Sequence, residues 1–191
     1  MSKIKVIPNF APEVFHRRAM DSVSDIKMPW ALRPSTMWDG YVSPFNDGDA
    51  YESPQFIHPI YDDGKAVSGL SPMVDNMGWM LSAKEDVYTG QIHRSKINLN
   101  FPSPFIPKNG HYPPHVDLDG VKHIVALYYL NDSDGDTVFF ENINGAAKEI
   151  MRVTPRANTM VCFDGAIFHS AEPPRNSPMR IVINTNYIQN D

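Results

Sequence analysis

The rhythm of hydrophobic and polar positions changes near residue 85. Before that point the helical signals are short. Val14, Phe15 and Ala19 fall on one face of a helix predicted over Ala11–Ser24 and opened by Pro8 or Asn9. Met73, Met77 and Met80 make one stripe of a second short helix over Ser71–Ala83, a stripe expected to pack into a core. Between them, Pro29–Gly69 has little periodicity and much proline, glycine, aspartate and aromatic residue. This stretch is predicted to wrap the core, with Trp30 and Trp38 as packing anchors; a lid over a substrate is the alternative.

After residue 85 the pattern is that of short strands. Candidates are Gln91–Phe101, His115–Asp117, His123–Leu130, Thr137–Glu141, Ile150–Val153, Thr159–Phe163, His169–Ala171 and Arg180–Ile188. Turn signals separate them, among them Asp119-Gly120, Asp132-Ser-Asp-Gly135, Asn144-Gly145 and Asp164-Gly165. Closely spaced strands without intervening helices predict a mainly β fold, a sandwich, barrel or jelly roll. The chain of 191 residues is read as a single domain: 1–85 a helical and wrapping segment, 86–191 the β core.

Composition narrows the classes. Seventeen prolines argue against a helical bundle. The one cysteine, Cys162, excludes an internal disulfide or a multi-cysteine zinc site, and its apolar surroundings predict a buried structural thiol. No apolar run is long enough to span a bilayer and the first residues lack a secretory pattern, so a cytoplasmic protein without membrane contact is expected. A formal charge of −5 with scattered basic residues (Arg17, Arg18, Arg94, Lys96, Arg152, Arg156) speaks against nucleic acid.

Of the seven histidines, one is followed two positions later by a carboxylate, in His115-Val-Asp117. Chance alone predicts roughly 0.8 such pairs, so the spacing carries weight only in context. On a strand, residues i and i+2 share a face, and an imidazole and a carboxylate there can bind one metal. His169 offers a third donor, and Arg180 opens the last strand. Two imidazoles and one carboxylate leave about three adjacent positions open, an arrangement suited to non-haem Fe(II). An arginine fork that grips a carboxylate completes a dicarboxylate pocket.

At this point the sequence resembles the Fe(II)/2-oxoglutarate-dependent oxygenases, in particular their prolyl-4-hydroxylase-like branch. The resemblance runs from about Gln91 to Tyr187 and rests on ordered pieces: Tyr112-Pro-Pro-His115-Val-Asp117, Leu127-Tyr-Tyr-Leu-Asn131, Gly135-Asp-Thr-Val-Phe139, and His169 followed by Arg180. It implies a double-stranded β-helix, an eight-stranded jelly roll with a metal in its mouth. It implies Fe(II) on His115, Asp117 and His169, and 2-oxoglutarate whose distal carboxylate meets Arg180 and Tyr129, with Tyr112 lining the cavity. O2 would be the second cosubstrate and ascorbate an accessory reductant. The reaction implied is hydroxylation of a C–H bond of a peptide, amino acid or other small substrate, with release of succinate and CO2.

Strand parity adds that, with Arg180 inward, Val182, Asn184 and Asn186 are inward too. Asn184 and Asn186 are therefore candidates for cosubstrate or substrate contact, or for structural hydrogen bonds. Likewise Tyr129 shares a face with Leu127 and Val125.

The sequence departs from the family in two places. Collagen-type prolyl hydroxylases carry lysine where Arg180 stands, and the family's doubled glycine is Gly135-Asp136 here, near an enlarged loop over Pro102–Gly110. The remaining histidines are expected outside the metal site, His111 at a rim or surface and His123 on an inward face. Arg175 is a loop alternative to Arg180. Two other functions are consistent with these residues: a non-catalytic cupin-like binding module, and a nucleic-acid-directed oxygenase.

Overall fold

The computed structural model describes residues 4–35, 43–45, 53–103 and 110–189. Among them are eleven strands and two helices. The strands are β1 (Ile4–Ile7), β2 (Ala31–Arg33), β3 (Gln55–Asp62), β4 (Lys65–Ala66), β5 (Ile92–Asn100), β6 (His123–Tyr129), β7 (Thr137–Ile143), β8 (Ala146–Val153), β9 (Thr159–Asp164), β10 (Phe168–Ala171) and β11 (Arg180–Ile188). The helices are α1 (Glu13–Val23) and α2 (Ser71–Glu85). No described helix is long and apolar enough to cross a membrane.

Every named pairing is antiparallel. A major sheet has the order β1-β9-β6-β11-β5-β3-β2 with β4 beside β3, and a minor sheet has the order β10-β7-β8. The two sheets form the predicted jelly roll.

Alternation gives the major sheet two different faces. One face carries Ile97, Ile181, Ile183, Ala126, Tyr128, Met160 and Cys162, which pack with α1 and α2 in the larger apolar core. The helices cover it because α1 buries His16, Ala19 and Val23, and α2 buries Val74, Met77, Gly78 and Leu81. Met73, Met80 and Trp30 pack against the same core partly buried, so the methionine stripe is core. A chain of hydrogen bonds pins α1 down: His16 Nδ1 to the Tyr128 hydroxyl at 2.8 Å, and that hydroxyl donating to Asn158 Oδ1 at 2.9 Å.

The other face turns toward the minor sheet and changes character across its width. On β6 and β9 it is apolar, with Val125, Leu127, Tyr129, Val161 and Phe163 meeting Phe139 and Val153 in a second core. On β11 and β5 it becomes polar. Arg180, Val182, Asn184 and Asn186 stand opposite Asn100, Asn98, Lys96 and Arg94 in the antiparallel register.

Three features differ from the sequence reading. Pro29–Gly69 contains β2, β3 and β4, although Pro59 lies within β3. The register with β5 shifts directly after it, between Pro59 and Tyr61, and bulges are where sheets accommodate proline. Ile4–Ile7 forms an edge strand on β9 that the sequence reading left out. Finally, His115–Asp117 is not a strand. His115 makes a single bridge to His169, and Asp117 lies in the bend that follows. Trp38 and most of the Pro102–Gly110 loop lie outside the described residues.

Candidate metal centre

His115 and His169 exchange two backbone hydrogen bonds, His115 N to His169 O at 3.0 Å and His169 N to His115 O at 2.9 Å. His115 thereby extends the minor sheet beyond β10. Directly paired residues of an antiparallel ladder point to the same side, and the two ring centroids are 4.8 Å apart. The bend after His115 returns Asp117 toward both rings. Asp117 Oδ1 is 4.0 Å from His115 Nε2, and Oδ2 is 3.9 Å from His169 Nε2. One donor atom from each residue falls in a group within 4.8 Å, a set that could hold a metal ion.

Both imidazoles are oriented by their far nitrogen. His115 Nδ1 lies 3.1 Å from the Pro113 carbonyl oxygen and His169 Nδ1 lies 3.3 Å from that of Ile167. A carbonyl accepts only, so Nδ1 is the protonated nitrogen and the Nε2 lone pair points at the common centre. Phe163 meets the His169 ring edge-on at 4.9 Å. Burial, helped by the second histidine, pushes the His115 imidazole down to about 4. Burial also lowers His169. Burial alone would raise the Asp117 carboxyl, but the neighbouring His169, Arg94 and His115 outweigh it and hold the group well below the usual carboxylate range. Two neutral imidazoles and an ionised carboxylate are the protonation states that ligation requires.

Asp117 is also held from behind. Asn184 and Asn186 donate from Nδ2 to its Oδ2 at 3.0 and 2.8 Å. Arg94 donates from Nη2 to Oδ1 at 2.9 Å and from Nε to Asn186 Oδ1 at 3.2 Å. The inward parity of Asn184 and Asn186 is thus that of residues orienting a carboxylate. Arg94 was missed in the sequence, where it counted as one scattered base.

Arg180 is buried about as far from solvent as the metal-site carboxylate. Its Nε donates to the Gly135 carbonyl oxygen at 2.8 Å and its Nη2 to Thr137 Oγ1 at 2.8 Å, leaving three N–H groups for other partners. The Tyr129 hydroxyl donates to the same Thr137 oxygen at 2.7 Å. Burial raises the Tyr129 phenol, with Arg180 opposing. Arg180 passes close to the backbone at Gly135: a Cβ there would meet Glu172 O at 2.6 Å, Pro174 N at 3.0 Å and Arg180 Cδ at 3.2 Å. Arg175, by contrast, is exposed in its loop, where its backbone N–H donates to Asp134.

One cavity joins these groups. Tyr112, His115, Asp117, Arg180 and Asn184 line it together with Lys96 and Asn98 from β5. Burial, reinforced by Arg94, pushes the Lys96 ammonium down to about 8. His111 lies outside this cavity, its ring tilted over Phe140 at 4.7 Å. His123 is buried and its Nδ1 is 2.7 Å from the Val121 carbonyl oxygen.

A jelly roll that brings two imidazoles and a carboxylate together at the edge of its minor sheet has the donor set of a mononuclear non-haem iron centre. Residues 103–188 match the 2OG-Fe(II) oxygenase superfamily model, and this match, with the His115, Asp117 and His169 donor set, supports an oxygenase with iron and 2-oxoglutarate as its cofactors. Three solved structures share the fold. A 2OG-Fe(II) oxygenase family oxidoreductase from Burkholderia pseudomallei is 13% identical, with a TM-score of 0.65 over 99% of this chain and 86% of the other. A prolyl hydroxylase from Trichoplax adhaerens, in complex with a hypoxia inducible factor peptide fragment, is 17% identical, with a TM-score of 0.62 over 98% of this chain and 84% of the other. The non-haem α-ketoglutarate-dependent carbocyclase SnoK of nogalamycin biosynthesis is 13% identical, with a TM-score of 0.63 over 99% and 80%. No curated protein matches the sequence significantly.

Proposed function

We propose that the chain is a hydroxylase that uses His115, Asp117 and His169 as its iron ligands and 2-oxoglutarate as cosubstrate, acting on a C–H bond of a peptidyl, amino-acid or other small substrate. The observation that carries this reading is the convergence of two Nε2 lone pairs and one ionised carboxylate within 4.8 Å, each already turned to the centre by its own neighbours. This donor set fits Fe(II). Iron bound there supplies O2 activation, driven by decarboxylation of 2-oxoglutarate to succinate.

The protein's own groups do the positioning. Arg180 holds the distal carboxylate of the cosubstrate through the N–H groups not used by Gly135 and Thr137. The Tyr129 hydroxyl, already beside Thr137, turns to the same carboxylate. Tyr112, buried on the cavity wall, excludes water from it. Arg94, Asn184 and Asn186 keep Asp117 ionised and fix its orientation. The peptide complex of one structural relative and the small-molecule pathway of another support both substrate classes.

The test is succinate release from 2-oxoglutarate with Fe(II), ascorbate and a panel of peptides and small molecules. The expected result is metal-dependent succinate formation, raised by at least one substrate class. His115→Ala and Asp117→Ala should abolish both metal binding and turnover. A His115→Ala protein that binds its ligands unchanged would instead favour a non-catalytic binding module.

A further inference from the structure

The inner face of β5 presents Arg94, Lys96, Asn98 and Asn100 in alternation, and the cavity wall uses the last three. Arg94 is spoken for by Asp117. Lys96 is different. Its side chain is aimed into the cavity, and among the described residues its ammonium has no hydrogen-bond or ion-pair partner. A half-buried ammonium that lines a cavity without a hydrogen-bond or ion-pair partner marks a place for an anion.

The position of Lys96 says which anion. Arg180 pairs with Asn100, and Asn184, the neighbour of Asp117, pairs with Lys96. The two cations therefore enter one cavity at opposite ends, with Arg180 near Thr137 and Lys96 level with the metal ligands. A dicarboxylate whose distal end meets Arg180 presents its other carboxylate toward the Lys96 end.

We propose that Lys96 is a second carboxylate-binding group of this cavity, gripping the 2-oxo acid end of the cosubstrate while Arg180 grips the distal end. The inference rests on the cosubstrate reading above and deepens it: the site is a two-ended clamp, not a metal chelate anchored by one arginine.

Calorimetric titration of the full-length protein loaded with Ni(II) tests this with two probes, 2-oxoglutarate and 2-oxopentanoate, which keeps the 2-oxo acid and lacks the distal carboxylate. Lys96→Met is expected to weaken both probes at least ten-fold and by similar factors, with Ni(II) affinity unchanged. Lys96→Arg should stay within three-fold of the parent, and Lys96→Gln, with its shorter neutral chain, serves if the methionine variant does not fold. Arg180→Met should weaken 2-oxoglutarate alone. Wild-type affinity of the neutral Lys96 variants for both probes would overturn the proposal. If Arg180→Met also bound 2-oxoglutarate normally, or the parent protein bound neither probe, the cosubstrate reading itself would fall.

Discussion

Arg94 Nη2 sits 2.9 Å from Asp117 Oδ1, so the one carboxylate of the metal site is ion-paired to a base on a strand 23 residues earlier in the chain. The arginine side chain is only 28% exposed, and its Nε also holds Asn186, which in turn holds the other Asp117 oxygen. The carboxylate is thus gripped on both oxygens before any metal arrives.

Removing this grip is expected to loosen the ligand, not to unfold the protein. Arg94→Met should lower Fe(II) or Ni(II) affinity by about 10- to 100-fold, the usual cost of losing a partner that orients a ligand. A competition titration with a chelating dye reads the change. An unaltered metal affinity would show that Asn184 and Asn186 suffice.

Gly135→Ala should damage the distal end of the site. Its methyl group would fall 2.6 Å from Glu172 O and 3.2 Å from Arg180 Cδ. Overpacking of this kind costs about 1–3 kcal/mol. A lower Tm together with weaker 2-oxoglutarate binding is expected, since Arg180 must move from the Gly135 carbonyl that seats it. A drop in Tm with unchanged cosubstrate affinity would mean that the strain relaxes away from Arg180.

Metal removal should be visible as a loss of stability. A metal that binds only the folded state adds about 2.7 kcal/mol at one hundred times its Kd. Adding Mn(II) or Ni(II) to the chelator-treated protein is expected to raise Tm by several degrees, and His169→Ala to cancel the rise. A Tm that ignores the metal in the parent protein would argue against a site on these three residues.

The depressed Lys96 ammonium gives the ligand-free protein a pH signature at the alkaline end. Arg94, Arg33 and Asp117 are the charged groups acting on it, and burial is the largest influence. In the unfolded chain this lysine titrates near 10.5, whereas in the folded chain it titrates at about 8. Between those values the unfolded state holds a proton that the folded state has released, so stability rises with pH. At pH 7 both states carry the proton and the penalty is present in full, roughly 3 kcal/mol at 1.36 kcal/mol per pH unit. Lys96→Met should therefore raise Tm at pH 7 and lose that advantage toward pH 10. A constant difference across the range would contradict the shift.

How much of this was legible in the sequence depends on the strand in question. On β11, the alternation from Arg180 to Asn186 gave the inward face correctly, and the family resemblance named His115, Asp117 and His169, which the fold brings together, and Tyr129, which lies beside Thr137 and Arg180. The reason offered for His115 and Asp117 was partly wrong, because they share a side through a bridge and a bend instead of strand parity. On β5 the strand was legible but its inward face was not, for a physical reason. Arg94, Lys96, Asn98 and Asn100 alternate with Ser95, Ile97 and Leu99, the pattern of a strand with one face in solvent. Here the polar face is the wall of the cavity, and the apolar face meets the helices. Single-chain periodicity distinguishes two faces but cannot say which one looks at water. The strand in Gln55–Asp62 was hidden by Pro59, whose bulge depends on the register with β5.

That same two-sidedness has a consequence for Cys162. The thiol lies on β9 between Val161 and Phe163, both of which face the metal side, and it points the other way into the helix-covered core. Burial pushes its pKa up to about 12, so almost no thiolate forms near neutral pH. A one-residue slip of β9 would exchange the two faces and bring sulfur toward His169. In a protein whose iron activates oxygen, the pleat of β9 works as insulation, keeping the chain's one oxidisable thiol on the far side of a sheet from the oxidant.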